Sequence, residues 1–459
     1  MLKRVLVVFM LVLLGAVLYV PYADAETKLD YGAAFRLRQE NWDDVVNLST
    51  NDTGGGADRN FFRLRTQVWG KAMFNENLSV YARLVNEAKF FDGPFLAYKT
   101  NVNRDRFDPD EIDIDNLYFD AKNIFNLPVD IRIGRQDFLG PDVYGEGFLI
   151  MDGTPGDGSK TFYFNALKAK VRFSKDHTLD VVYMNNPKTD TYLPSMHPAV
   201  KGGLFVDNKK VLTASREQGL VIYGRSKVSD NVTIEPYYMY KTEDPFGAVT
   251  KLELNTIGAR IVVTADSWKF GGEYAHQFGD YANGVDRTGN GGYIFVSRKY
   301  EKAALKPEFD LRFVYLSGND PSTTENETFD PLFSRNPNWN ELIIYPLLNE
   351  TAAYGGAGMP GYWTNMEILK ATVSLNFSPE TRLNLAYQYL FAPEQSGLSN
   401  ALFTNNGKSR GHLPTAILTH KFSKNLDAMV QLEYFIPGSY YTSASDNASF
   451  FRWQLQYRL

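Results

Sequence analysis

The chain has 459 residues, of which 44% are hydrophobic and 14% aromatic, with a formal net charge of −5 and no cysteine. The absence of cysteine excludes disulfides and Cys-ligated metal sites, and the aromatic content and mild acidity argue against a disordered chain and a general nucleic-acid binder. After the N-terminal segment, no apolar run approaches the ~20 residues of a membrane-spanning helix, so an α-helical membrane protein is excluded.

The N-terminal segment has the features of an export signal. A short basic start precedes an almost wholly apolar run over residues 5–20, and Ala23-Asp24-Ala25 gives the small-x-small pattern of a cleavage site. We therefore predict a signal peptide over residues 1–25 and an exported domain over 26–459. An uncleaved membrane anchor is the alternative.

The exported part alternates between apolar and polar positions. In residues 29–38 the odd positions are mostly apolar or aromatic and the even positions small or charged, and residues 451–459 repeat this form. This period of two predicts strands with one apolar and one polar face, whereas helical periodicity is not sustained anywhere. About eighteen strands are predicted, starting near Lys28, Phe61, Leu78, Asn116, Val129, Asn165, Thr178, Gly219, Val232, Asn255, Trp268, Gly292, Glu308, Glu367, Thr381, Pro414, Leu426 and Ser449.

The connections between these strands alternate between short and long. Short ones include Asp266-Ser267 and Ser378-Pro379-Glu380. Short periplasmic turns opposite long extracellular loops are typical of barrels in the bacterial outer membrane. Backbone polar groups find no partner in lipid, so such a sheet must close. The long connections are expected at 41–59, 91–111, 140–161, 186–216, 242–253, 279–291, 319–363, 392–411 and 437–448.

We therefore predict an all-β fold, a single transmembrane antiparallel up-and-down β-barrel of about 18 strands in the bacterial outer membrane. Aromatic residues near the strand ends, as in the girdles of such barrels, favour this fold over a soluble sandwich or propeller. Loops must set the constriction of so wide a barrel. The connections 140–161 and 319–363 are the best candidates to fold inward, and loops that only cover the mouth are the alternative.

With the apolar side chains placed outward, the inward face carries more basic than acidic residues, and the acids concentrate in connections such as 105–115. Basic groups in a narrow lumen favour anions, whereas a balanced ion-pair network that stiffens the wall is the alternative. The predicted pore-lining basic residues are Arg36, Arg38, Arg63, Arg65, Arg83, Arg132, Lys168, Lys170, Arg172, Arg260 and Arg312. The predicted pore-lining acidic residues are Glu87, Asp120, Asp130, Glu235, Glu273 and Asp310.

Several short motifs resemble those of one family. They are Gly134-Arg135-Gln136, the loop Tyr144-Gly145-Glu146-Gly147 to Ile150, Leu316 to Asp320, Thr328 to Phe333, Gly411-His412, and Phe435 to Tyr440. Together they are similar to the alginate-export family of outer-membrane porins over residues 28–459. The resemblance implies an 18-stranded monomeric barrel with a basic, Arg-lined passage for an anionic polyuronate. The alginate exporter proper has a long periplasmic gating loop near its C-terminus, whereas the corresponding turn here is Ser423-Lys424-Asn425, so we expect no such lid.

The expected function is an outer-membrane channel that passes anionic solutes, such as sugar acids, oligosaccharides or polysaccharides, through a basic lumen. A general porin, a porin selective for phosphate or organic acids, and a structural or adhesive barrel with a blocked lumen are the alternatives. The five histidines lack metal-ligand spacing and no nucleophile elbow occurs, so we expect no catalytic residue, metal or cofactor and no enzyme activity. Calcium binding by the acidic segment 105–115 is an alternative to a plain solvated loop.

The expected partners follow from the barrel. They are outer-membrane lipid, anionic or sugar solutes, and the barrel assembly machinery, which would engage the C-terminal strand. Nucleic acid is not expected as a partner, and a monomer is the favoured state.

Overall fold

A computed structural model describes residues 27–50, 58–91, 107–108, 111–151, 163–196, 212–334, 339–347, 350 and 363–459. The predicted signal peptide lies outside these residues. Within them, eighteen long strands form one antiparallel sheet, and two-residue strands at Phe107–Asp108 and Ser195–Met196 extend it. The helical elements of the described residues are two 3-10 turns, Ile124–Asn126 and Gly140–Asp142, and helical residues at 344–347 and 350. In the part of the chain described here, no helix is both long and apolar enough to cross a membrane.

The long strands are β1 (Lys28–Asp43), β2 (Arg59–Met73), β3 (Leu78–Phe91), β4 (Ile112–Ala121), β5 (Val129–Gln136), β6 (Phe164–Arg172), β7 (His177–Asn186), β8 (Glu217–Ser229), β9 (Val232–Glu243), β10 (Leu252–Ala265), β11 (Trp268–Tyr281), β12 (Asp286–Lys299), β13 (Glu308–Leu316), β14 (Met366–Asn376), β15 (Thr381–Phe391), β16 (Ser409–Lys421), β17 (Leu426–Pro437) and β18 (Ala448–Arg458).

The sheet closes on itself. Each strand pairs with its neighbours in sequence, and β1 pairs with β18 from Ala34 opposite Arg458 to Asp43 opposite Ser449. Closure gives the backbone groups of the first and last strands partners that lipid cannot supply. The predicted closed barrel of about 18 strands is therefore confirmed.

The connections alternate in length, with one exception to the prediction. The prediction of a long loop at 279–291 is wrong, because β11 and β12 are joined by a tight turn at 282–285. In this turn Tyr281 N donates to Val285 O at 2.9 Å. Strand β12 contains Gly289, Gly291 and Gly292, which leave no alternation of side chains to detect.

The side of the barrel with the short turns also holds both ends of the described chain. The turns there are 74–77, 122–128, 173–176, 230–231, 266–267, 300–307, 377–380 and 422–425. We call this the turn side and the opposite side the loop side. In outer-membrane barrels the short turns face the periplasm.

The two faces of the wall differ as the alternation predicts. Outward residues such as Leu311 and Leu369 are 59% and 50% exposed and form the lipid-facing surface. Inward residues are mostly buried, because loops enter the barrel from the loop side. Phe148 of one loop packs its ring 5.7 Å from that of Tyr293 on the wall. Side chains of the loops therefore fill part of the barrel interior.

Candidate channel lumen

Two connections fold into the barrel, and we call their described parts, 137–151 and 317–347 without 335–338, the inward loops. They contact each other. Phe333 N donates to Leu149 O at 2.9 Å, and the rings of Phe148 and Phe329 stack with centroids 5.3 Å apart. The structure thus brings together the two connections that sequence analysis selects by length and aromatic content.

The second inward loop is fastened to the barrel wall. Glu433 of β17 accepts hydrogen bonds from Glu341 N at 3.1 Å and Leu342 N at 2.8 Å. On β14, Lys370 Nζ donates to Trp339 O at 2.6 Å. Since these partners lie on separate strands, residues 339–342 are held against a broad section of the inner wall.

Backbone conformation positions the first inward loop. Gly145 and Gly147 have φ values of 56° and 77°, in the left-handed region that favours glycine. A Cβ on Gly147 would lie 2.5 Å from Met151 Sδ, so the chain is also crowded there. Tyr144 donates from its hydroxyl to Asp180 at 3.0 Å and fixes the start of this turn to β7.

Glu146, between these glycines, reaches two arginines of the wall. It accepts a hydrogen bond from Arg312 of β13 and lies 3.6 Å from Arg260 of β10. Burial opposes ionisation, but the hydrogen bond and charge of Arg312 and the charge of Arg260 hold the pKa of Glu146 below its ordinary value. A loop carboxylate therefore joins two basic positions that the sequence predicts to line the pore.

The motif Gly134-Arg135-Gln136 links β5 to its neighbours. Gly134 has φ 127°, and a Cβ there would lie 2.2 Å from the carbonyl oxygen of Leu117 on β4. Arg135 is buried and donates to Asp190 at 2.7 Å. Gln136 donates to Ala166 O on β6 at 3.2 Å. These residues shape the wall and are not free to meet a solute.

The predicted basic residues of the first two strands are matched by carboxylates. Arg36 and Arg63 both lie 2.6 Å from Glu87, and Arg38 lies 3.1 Å from Glu40. All of these side chains are buried. Arg65 stands opposite Arg36 in the register and is partly buried. This part of the wall is a compact ion-pair network.

Most of the next predicted basic residues are matched as well. Ion pairs join Arg83 to Asp115 and Asp137, Arg132 to Asp120 and Asp142, Lys168 to Asp142 and Asp180, and Arg172 to Asp130. Lys170 makes no ion pair with any described residue. It lines a cavity of about 110 Å³, with Arg132 and Lys168 among its neighbours.

The remaining predicted residues lie on β9 to β13. Arg260 lies 2.9 Å from Glu235, and Glu273 accepts a hydrogen bond from the hydroxyl of Tyr293 at 2.9 Å. Asp310 forms neither a hydrogen bond nor an ion pair with the described chain, and together with Arg312 it faces a wide cavity between the wall and the inward loops.

Sequence reasoning found Glu87, Asp120, Asp130 and Glu235 but missed other acids that complete these pairs. Asp137, Asp142 and Glu146 lie in a connection, and the sequence pattern places Asp115 in an acidic loop although β4 begins at Ile112. The glycines on either side of Glu146 are the signal that could have located it. Among the described residues, no three His, Asp or Glu side chains are placed to hold a metal. Within the acidic segment 105–115, for which calcium binding is the alternative to a solvated loop, residues 105–106 and 109–110 lie outside the described residues.

The cavity that Asp310 and Arg312 face has a volume of about 790 Å³. It lies between the inward loops and the inner face of β13 to β17. Uncharged hydrogen-bonding side chains and charged groups both line the cavity. The uncharged ones are Asn340, Thr372, Ser374, Asn384, Thr415 and Gln431, and the charged ones on β13 to β15 are Glu308, Asp310, Arg312, Lys370 and Arg382.

The fold is similar to those of solved bacterial porins. The structure of Pseudomonas aeruginosa OccK5 (OpdH) matches with a TM-score of 0.52 at 12% identity, over 94% of this chain and 98% of that chain. Acinetobacter baumannii OccAB1 matches with a TM-score of 0.58 at 10% identity, over 94% and 96%. A BenF-like porin from Pseudomonas fluorescens Pf-5 matches with a TM-score of 0.55 at 11% identity, over 94% and 98%. At these identities the likeness shows the fold alone.

Sequence comparison gives the family. No curated protein sequence matches this chain. The alginate export family model matches residues 207–453, which is more than half of the chain and includes all four of the motifs from Leu316 onward. With its closed 18-stranded barrel, the chain therefore belongs to the alginate export family and is a porin of the bacterial outer membrane.

Proposed function

We propose that this porin is a passive channel, without catalytic activity, for hydroxyl-rich anionic solutes such as sugar acids and short acidic oligosaccharides. One observation carries the proposal. The 790 Å³ cavity combines uncharged hydrogen-bonding groups with Lys370, whose ammonium group makes no ion pair within the described chain. A sugar acid presents the complementary groups, hydroxyls and a carboxylate.

The chemistry of the lining supports a sugar-like solute. Sugar hydroxyls both donate and accept, as do the side chains of Thr372, Asn384 and Gln431. Trp339 adds an aromatic side chain to the lining of the same space. A solute could exchange its water for these groups without a large loss of hydrogen bonding.

Attraction for an anion is local to one part of the cavity, because the lining as a whole holds more acidic than basic side chains. The acidic ones are Glu146, Glu308, Asp310, Glu341 and Glu433, and the basic ones are Arg312, Lys370 and Arg382. Lys370 and Arg312 attract a carboxylate, but Asp310 faces the same space and Glu146 already engages Arg312. Opposite charges this close offset each other's fields. The proposed channel therefore discriminates by the placement of single charges and not by a long row of one sign.

The test is single-channel recording in planar bilayers under a salt gradient. Lys370→Gln should shift the reversal potential toward cation passage, and Asp310→Asn, on the adjacent strand, should shift it toward anions. Acidic sugars should block the current at lower concentration than neutral sugars of equal length. Unchanged reversal potentials in both variants would contradict the role of these groups.

A general or organic-acid porin is the second candidate. It is favoured by the ion pairs that neutralise Arg36, Arg63 and Arg83. In that case phosphate and simple organic acids would block as well as acidic sugars. A barrel with no conductance at all would instead support a structural or adhesive role, with the lumen closed by the inward loops.

A further inference from the structure

An arginine on the lipid-facing side of the barrel has no anionic partner among the described residues. Arg298 of β12 lies on the same face as Ile294, which is 63% exposed. In the sheet register its neighbours are Trp268 of β11 and Phe309 of β13, both exposed. These positions are at the turn side, where the wall meets the periplasmic surface of the membrane.

Aromatic rings hold the guanidinium group in place. Its central carbon lies 4.8 Å from the ring centre of Trp268 and 4.7 Å from that of Tyr300. Tyr300 in turn packs edge-on against Phe309 at 5.8 Å. Cation–π contacts of this kind orient an arginine through the faces of the rings but do not satisfy its N–H donors.

Those donors are unused in the described structure. Arg298 forms no hydrogen bond or ion pair with any described residue, and its Nε is buried without an acceptor. The acid nearest in sequence, Glu301, is engaged by Lys299 at 2.5 Å. An arginine facing lipid is tolerated near the membrane interface, where an anion can reach it, and is unfavourable deeper.

The surrounding turn adds positive charge. Residues 298–306 contain four basic residues and one acid. At this depth of a membrane the abundant anionic group is the phosphate of the phospholipid headgroup. The planar guanidinium fork matches phosphate oxygens in a way that a lysine ammonium does not.

We propose that Arg298, held by Trp268 and Tyr300, binds the headgroup phosphate of a phospholipid in the periplasmic leaflet of the outer membrane. The acyl chains would lie on the outward residues that continue from the cluster, Phe270, Ile294 and Leu311, each exposed. This continuity with the lipid-facing surface favours a lipid over a soluble phosphate.

The test is native mass spectrometry of the intact barrel in detergent, titrated with phosphatidylglycerol. The parent should retain one lipid, and Arg298→Gln should bind it roughly tenfold more weakly, the loss expected for a hydrogen bond between charged groups. Arg298→Lys should recover only part of the binding. The matched control is Lys227→Gln, which removes an exposed basic side chain paired with Asp230 at another turn and should leave binding unchanged.

Heat-modifiable gel migration shows whether each variant is folded. Should Arg298→Gln not fold, Trp268→Leu keeps the charge, removes one ring and should still weaken binding. Equal lipid retention by the parent and a folded Arg298→Gln variant would overturn the proposal. Displacement of the lipid by millimolar inorganic phosphate would overturn it as well, because the site would then be one for soluble anions.

Discussion

Gly134 occupies a position where no other residue fits. Any side chain at this position would meet two unfavourable terms. The backbone φ is 127°, and a Cβ would lie only 2.2 Å from Leu117 O. We expect Gly134→Ala to lower the free energy of unfolding by roughly 1–3 kcal/mol, the range for backbone strain at one residue. Urea unfolding of the barrel in lipid vesicles, followed by tryptophan fluorescence, measures this change.

A second glycine supplies the control. Gly70 of β2 has no atom within 4 Å of its Cβ position and no positive φ. Gly70→Ala should therefore leave the free energy of unfolding unchanged or raise it by up to about 1 kcal/mol, because alanine lowers the conformational entropy of the unfolded chain. Equal losses in the two variants would mean that any added methyl group disturbs the wall, and that the close contact of Gly134 has no special role.

Glu146 should make the first inward loop sensitive to acid. Its pKa is lowered in the folded protein, so its contribution to stability is present above its ordinary value of 4.5 and is lost as the pH falls through the lower folded value. Below that pH the neutral carboxyl group no longer attracts Arg312 and Arg260, and the loop should loosen.

Current recordings can measure this transition. Low-frequency noise in the open-channel current should rise for the parent as the pH falls from the ordinary pKa of a glutamate into strongly acidic solution. Glu146→Gln should show the raised noise already at neutral pH, with little further change on acidification. A parent and variant with the same pH profile would place the acid-sensitive group elsewhere.

At the scale of the element, residues 339–342 depend on Glu433 for their place in the lumen. Glu433→Ala would leave two backbone N–H groups without their acceptor, at a cost of about 1–3 kcal/mol for each buried group. The segment should then detach and widen the passage. We expect a larger single-channel conductance and faster proteolysis within 339–347.

The matched variant is Glu433→Gln, which keeps an acceptor oxygen and nearly the same volume. It should retain most of the parent conductance and protease resistance. If the glutamine variant behaves like the alanine variant, the charge of Glu433 acts on the solute directly, and the contact with the inward loop is not what sets the conductance.

The strands can be predicted from sequence because each carries its own pattern. Leu78, Val232 and Leu426 begin strands where the alternation of apolar and polar residues predicts them. The start of β12 escapes prediction because its glycines give no pattern, and the start of β4 because its inward Asp113 and Asp115 resemble loop residues. Both errors arise where the inward and outward side chains of a strand do not differ in polarity as an alternating pattern requires.

At the scale of the whole molecule, the site depends on contacts that no local pattern records. Arg312 and Glu146 are 166 residues apart in the chain, and Arg38 and Gln454 are 416 apart. Asp142 and Glu146 belong to a connection and are therefore not among the predicted pore-lining acids, yet both enter the lumen. The balance of charge in the lumen follows from where the loops fold, which alternation cannot predict.

The barrel wall should remain folded when an inward loop is removed. Each strand is hydrogen-bonded to both neighbours independently of the loops, whereas the loops add apolar packing inside through Phe148, Phe329 and Leu342. Replacing residues 319–363 with a short Gly-Ser linker should leave a closed barrel that still shows heat-modifiable migration. It should melt at a lower temperature because buried apolar surface is lost.

The same variant should conduct several times more current, because the cavity of about 790 Å³ would lose the wall formed by residues 339–341. As a control, the same linker in place of 392–408 shortens a loop that contributes no described residue to the lining of this cavity, and it should leave the conductance near that of the parent. An unchanged conductance after removal of 319–363 would mean that solutes do not pass this cavity. The charges of Lys370 and Asp310 would then have no influence on permeation, and the proposed route would have to run through another part of the barrel.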